Sequence, residues 1–504
     1  MRRGLRAKQR EPESHRQVPA AKVIRRRLPP FTPFDEDNLA LIERCADDLL
    51  CETGMDFRGD PESLALWRDA GADVKGERVR IERGMARHLI RATAPPSFVQ
   101  HARNPRRSVE FGNDHLVFAP GYGMPFVSKL GEERHYGTLG DLDDLVKLTY
   151  LAPCLQHSGG VTCEPTDIPV SHRHLEVAYS HLRWTDKPFL GLGTSGVAAV
   201  DTIDLLRLTF GREFVDANCC TASIINVNSP LVLDHTMLEA LKTYAAANQA
   251  TIVTPFVMGG AMGPVTPAGM VIQVLAEALA GAALTQLVRP GAPVMIGVML
   301  SGLNMKTGAP TRGAESWLSM LVMGQLVRRL GIPYRGGAAS TSAKVVDSQA
   351  GQEAADMLLM TVLAGVNFLI HAAGHLDAGL CMSFEKFVQD CDHLEMIARF
   401  ADGIDFSEDA LAMDAFREIG PGQHYLSSQH TLSRYRDAFH ISEVLDTGSY
   451  EQWRDDGCLT AAQRASSIWR KRLELYEPPP IDAALDASLR DFIERRKEAL
   501  PASG

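Results

Sequence analysis

Between Gly331 and Phe400 the chain alternates short apolar runs with longer segments of helical period. Ile332-Pro333-Tyr334 stops at Gly336-Gly337, and a polar loop leads to a helix over about 347–364, apolar at Met357, Leu358, Met360 and Thr361. Asn367-Phe368-Leu369-Ile370 ends at His371, and another polar loop precedes a helix starting near Ser383. Short strands with no polar alternation belong in a parallel sheet covered by helices on its outer face. The same rhythm runs back along the chain. Strands are expected at 155–159, 188–192, 221–227, 252–257 and 293–299. Helices are expected at 141–151, 170–184, 201–210, 234–248, 267–288 and 314–330.

Seven such strand–helix units predict a (β/α)₈ TIM barrel across 136–403, with the eighth strand either at Leu116–Ala119 or beyond Gly403. Residues 1–135 read as a basic tail followed by an N-terminal cap of helices and a small sheet. Residues 404–504 read as a C-terminal helical extension whose last amphipathic helix, 482–500, packs on the barrel or on a second copy of the chain. The apolar stretch Ala276–Val288 carries Glu277 and Gln286 and is too short for a bilayer, so it is expected as a buried barrel helix and no membrane partner is expected.

A net charge of −10 argues against nucleic acid as a partner. The exception is the segment 1–27, with ten basic residues against two acids, read as a solvated, mobile tail. No apolar run follows it, as a secretory signal would require. The nine cysteines are scattered without a CxxC pair, which fits a reducing cytoplasm. Their spacing, and that of the histidines, suits no zinc set, so no metal is expected.

In a barrel the chemistry sits where strands end. Those positions hold no close pair of acids, no GxSxG elbow, no P-loop and no HExxH. His371 directly follows an apolar strand and is the leading polar candidate. Lys306 and Arg312 share one loop and could hold a carboxylate or a phosphate. Phe256, Tyr334 and Tyr122 could offer aromatic faces to a methylated ammonium group, and Asn226 ends another strand.

Three blocks carry a resemblance: Met258 to Gly269 (MGGAMGPVTPAG), Ser340 to Gly351 (STSAKVVDSQAG), and Ala364 through His371 to Lys386. In these the chain resembles the trimethylamine methyltransferase family, corrinoid-dependent methyltransferases with a barrel fold. The resemblance runs from the basic N-terminus to about Glu477. It implies methyl transfer from a small methylated amine to the Co(I) corrinoid (cobalamin) of a separate corrinoid protein, since no DxHxxG corrinoid motif is present. Trimethylamine members carry pyrrolysine, which this chain lacks. That points to the members acting on quaternary amines such as glycine betaine. Phe256, Tyr334 and Tyr122 would then face the ammonium end of the donor, Asn226 would line the substrate site, and His371, with Lys306 or Arg312, would hold the carboxylate. Ser301, Asn304, Gly336 and Gly337 would face the corrinoid. Another methylated nitrogen or sulfur donor, or a non-catalytic ligand-binding barrel, stays open at this point.

Overall fold

A computed structural model describes residues 22–500, so most of the basic tail lies outside the described residues. The main sheet is built from strands β1 (His115–Phe118), β2 (Leu190–Gly191), β3 (Ala222–Val227), β4 (Ala250–Gly259), β5 (Val294–Leu303), β6 (Tyr334–Gly337) and β7 (Phe368–Ile370). Each pairs in parallel with the next in the chain from β2 onward, and β7 pairs in parallel with β1. The result is a curled, mainly parallel α/β sheet. Its first strand, β1, falls where the sequence left Leu116–Ala119 open, inside the stretch it gave to the N-terminal cap.

The segment 155–159, expected as a strand, has no strand assignment. It nevertheless bonds to β1 on one side and to β2 and the residue leading into it on the other. His157 N–H donates to Phe118 O at 3.2 Å, Ser158 N–H to Pro188 O at 2.8 Å, and Leu190 N–H to Gly159 O at 2.7 Å.

Eight helices follow the strands and this segment: α1 (Leu139–Leu151), α2 (Val170–Trp184), α3 (Gly196–Phe210), α4 (His235–Ala246), α5 (Pro267–Val288), α6 (Ala314–Leu330), α7 (Ser348–Leu363) and α8 (Phe384–Asp402). Their starts are set by side-chain caps. Thr138, Ser195, Asp234, Thr266, Asp347 and Ser383 each accept a backbone N–H of the first turn. Ser195 starts α3 five residues before the expected Asp201, because capping depends on one side chain and not on periodicity.

α5 is long and apolar enough to cross a membrane, and it is the only such helix among the described residues. It is packed inside the molecule, beneath the helices Glu36–Asp48 and Met85–Thr93. A helix apolar all round needs cover on every side.

Side chains on the inner face of the sheet (Val117, Ala222, Ile252, Met295, Phe368 and Ile370) form their own apolar core. A two-stranded ribbon, Ser97–Gln100 with Val109–Gly112, packs against it through Phe111, whose ring lies 4.8 Å from that of Phe368. This fills the end where the strands begin and leaves their carboxyl ends for the site. A small sheet joins 126–128 and 135–136 to His375–Leu376 and Cys381–Ser383, which tethers the loop after β7.

Candidate active site

Strand β6 reads Tyr-Arg-Gly-Gly, and alternation sends neighbouring side chains to opposite faces. Tyr334 faces the helices, where its hydroxyl donates to Met320 Sδ at 3.0 Å. The sequence reading had it lining the interior, but register puts Arg335 there instead. Arg335 pairs with Gly297 on β5 and Phe368 on β7. It is 1% exposed. Its Nε and Nη1 have no hydrogen-bond partner, and no carboxylate among the described residues forms an ion pair with it. Burial draws its pKa down to about 10, against a smaller opposing effect of Tyr334 and Tyr122. It is still a cation at neutral pH.

His371 follows β7 with φ at +61°, a left-handed conformation uncommon for a residue with a Cβ. Backbone bonds hold it there: its N–H donates to Pro120 O at 3.1 Å and its carbonyl accepts from Ala339 N–H at 2.9 Å. Its buried Nδ1 has no partner. The ring of His375 meets it edge-on, with centroids 5.5 Å apart, and His375 Nδ1 accepts from Thr341 N–H at 3.3 Å. Both imidazoles are held well below the ordinary range, first by burial. Arg335 and Arg312 then act on His371; His371, Arg312 and Lys386 act on His375. Both are therefore neutral at pH 7.

Arg312 also has an unpartnered buried Nε. Burial lowers its pKa and the charge of Glu353 raises it. Glu353 is engaged elsewhere, accepting from Thr341 Oγ1 at 2.6 Å and Ser342 N–H at 2.7 Å. Lys306, six residues before Arg312, is exposed in a turn, as is Asn304, whose side chain accepts from Lys306 N–H. The fold thus lets the charge of Arg312 act on His371 and leaves Lys306 in solvent.

Tyr122 lies over Gly160, where an added Cβ would stand 2.8 Å from its ring. Gly160 is fixed by His181, whose Nε2–H donates to its carbonyl at 2.8 Å while Nδ1 accepts from Ser158 at 2.7 Å. Burial pushes the Tyr122 hydroxyl up to about 12; Glu164 adds to this and Arg335 opposes it. Burial raises the pKa of Glu164, and Arg173 counteracts it in part.

Phe256 and Asn226 lie at the carboxyl ends of β4 and β3, with Phe256 half-buried beside Met299 and Asn226 exposed. Ser301 is buried with its hydroxyl unpartnered. Gly337 faces open space on the inner side, where an added Cβ would meet only Ser340 Oγ at 3.8 Å. Gly336 faces the helices, where a Cβ would stand 3.0 Å from Val366 Cγ2, so it does not line the chamber as the sequence reading expected. Among the described residues no group of three or more His, Cys, Asp or Glu side chains is placed to hold a metal ion.

Sequence reasoning missed Arg335. A signal was present, since a charged residue between Tyr334 and Gly336 in a strand buried on both faces has no routine place to go.

A family model described as trimethylamine methyltransferase (MTTB) matches residues 2–501. The chain is 36% identical over 471 residues to the glycine betaine methyltransferase of Desulfitobacterium hafniense (strain Y51), covering 93% of this chain and 98% of that one. It is 25% identical over 482 residues to the trimethylamine methyltransferase MttB of Desulfitobacterium hafniense (strain DSM 10664 / DCB-2), covering 92% and 94%. Among solved structures it is similar to the Methanosarcina barkeri monomethylamine methyltransferase (MtmB), with a TM-score of 0.45 and 12% identity, covering 89% and 95%.

Proposed function

We propose that this chain, which belongs to the trimethylamine methyltransferase family and is therefore a methyltransferase, takes its methyl group from a glycine betaine-like quaternary amine. The acceptor is the Co(I) corrinoid of a partner corrinoid protein. The observation that carries this reading is the protonation state of the chamber. Burial draws Arg335 down only to about 10, lowers Arg312 from its ordinary value with Glu353 opposing, and holds His371 and His375 well below the ordinary histidine value. None of these four is a general acid at neutral pH. A quaternary ammonium needs none, because it leaves as a neutral tertiary amine, whereas a neutral tertiary amine would leave as an unstable anion. The greater identity to a protein named for glycine betaine than to one named for trimethylamine agrees with this.

A docked corrinoid would supply the Co(I) nucleophile that accepts the methyl group. The residues at the mouth fit such a visitor. Val265, Met305, Val345 and Leu380 are exposed in the loops that leave β4, β5, β6 and β7. Four large apolar side chains on successive strand-end loops suit a partner's surface better than water. Ser301 and the open face of Gly337 lie inward of that rim, and Asn304 sits on it. Tyr122 and Phe256 can hold the spectator methyl groups against aromatic faces. Enclosure by the strand-end loops orients the donor and keeps water from it.

We read the sheet as a closed (β/α)₈ ring in which 156–159 is the second strand, supported by its bonds to β1 and β2. On this reading the barrel proper starts at β1, with the remainder of 1–135 and 404–504 packed around it. All nine cysteines are free, which supports a reducing cytoplasm.

A donor screen tests the function. Purified protein is mixed with free cob(I)alamin and glycine betaine, choline, tetramethylammonium or trimethylamine, and methylation is followed by the visible spectrum. Methylation with glycine betaine and not with trimethylamine is expected. Equal rates with trimethylamine, or betaine binding without any transfer, would overturn the assignment.

A further inference from the structure

We propose that residues 404–441 form an arm covered by a second copy of this chain, which joins two copies at the end of the sheet remote from the active site. The arm begins where α8 ends. Lys22 Nζ donates to Asp402 Oδ2 at 2.6 Å, and Arg27 N–H donates to Ala401 O at 2.8 Å. Between these two residues, Ile24 and Arg25 pair with Leu116 and His115 at the start of β1. The last turn of α8 therefore lies at the amino-terminal ends of the strands. The chamber opens at their carboxyl ends.

Three short helices, Glu408–Leu411, Met413–Ile419 and Gln429–Arg434, run through the arm. Among the described residues its hydrogen bonds from 404 to 436 stay within the segment, as between Arg434 and Asp409. The body meets it near its far end, where Arg399 donates to Asp437 O at 3.0 Å and Ala438 O at 3.4 Å. Its apolar side chains face water. Ile404, Phe406, Leu426, Phe439 and Ile441 are 74–77% exposed, and five more large apolar side chains of the arm are at least half exposed. At roughly 100 Å² apiece they leave roughly 1,000 Å² of apolar surface bare. The largest apolar patch on a typical monomer is about 300–600 Å². A stable interface takes about 800 Å² from each partner, and the arm alone supplies that.

Surface this apolar suits a permanent partner, because permanent interfaces are the more hydrophobic class. A carrier protein that visits the mouth would come and go, and it would sit at the other end of the sheet. A second copy meets both conditions. It brings the same arm, so one patch serves both sides across a two-fold axis. Joined there, the two mouths point away from the contact. The pairing does not depend on the identity of the donor.

Sedimentation of the full-length chain at micromolar concentration tests the pairing. The wild type should have twice the monomer mass of 55.1 kDa, or a larger even multiple. Phe406→Glu with Phe439→Glu places carboxylates inside the contact and should raise the dissociation constant at least about 100-fold. Both side chains are exposed in the single chain, so its own core is untouched. Ile404→Asn with Leu426→Asn should act in the same direction and serves if the glutamate variant is insoluble. A wild type that sediments at 55.1 kDa would assign the arm to a different protein and overturn the pairing. An assembly that both double variants leave intact would also overturn it, because the contact would then lie elsewhere.

Discussion

Gly297 and Arg335 are register partners on adjacent parallel strands, and the absence of a side chain at one makes room for the guanidinium of the other. A methyl group at 297 would overlap Thr254 Oγ1 and press on Arg335 Cδ at 3.2 Å. No left-handed φ is involved, so the requirement is for space alone. Gly297→Ala should cost about 1–3 kcal/mol of stability by overpacking. It should also weaken glycine betaine binding by displacing Arg335. Denaturant titration and calorimetry on the same preparation would measure both, and a variant matching wild type in each would show that the pocket has slack.

His371 combines an imidazole with a left-handed backbone, and two substitutions separate these. Ala carries a penalty of roughly 1 kcal/mol in that conformation and Gly does not. His371→Gly should therefore be the more stable variant by about that amount. Both lose the imidazole, so both should lower kcat/KM for glycine betaine by roughly 30-fold or more. Equal kinetics for wild type and His371→Ala would remove His371 from the site.

The buried histidines make stability depend on pH. His181 has its pKa lowered to about 4 by burial, against an ordinary value of 6.5. Below pH 6.5 the unfolded chain binds a proton that the folded chain refuses, so stability present above 6.5 is lost as pH falls toward about 4. For His181 alone the loss is on the order of 3 kcal/mol. His157, His371 and His375 act in the same direction. His181→Gln removes one contribution. Its unfolding free energy should change less than the wild type's between pH 6.5 and 4 in parallel denaturant titrations, and identical slopes would contradict the account.

Asp390 ties the loop after β7 to α8. Its Oδ2 accepts from Gly374 N–H at 2.9 Å and its Oδ1 pairs with Lys386, both side chains being buried. Asp390→Ala should cost about 3–5 kcal/mol, because it strands the lysine without a counter-charge. Replacing Lys386 by Met in the same chain should recover part of that loss. If thermal unfolding shows the two substitutions to be simply additive, the pair does not act as a unit.

Much of this architecture could be read along the chain. Apolar runs with no alternation marked all the main strands but 155–159, which has no strand assignment, and periodic segments marked the helices, because these are local consequences of backbone geometry and burial. His371 was legible for the same reason, as the first polar residue past a buried strand.

Tertiary structure alone decided which faces meet. The sequence shows Tyr334 and Arg335 side by side, but only pairing with β5 and β7 turns the arginine inward and the tyrosine toward Met320. Lys306 and Arg312 look equivalent in one loop, yet the turn at Asn304 leaves the lysine in water while the arginine is largely buried and its charge acts on His371. The pattern of a strand fixes that its side chains alternate. Which alternate set faces the chamber is a property of the register between strands far apart in the chain, and that register is what leaves Arg335 buried without a partner.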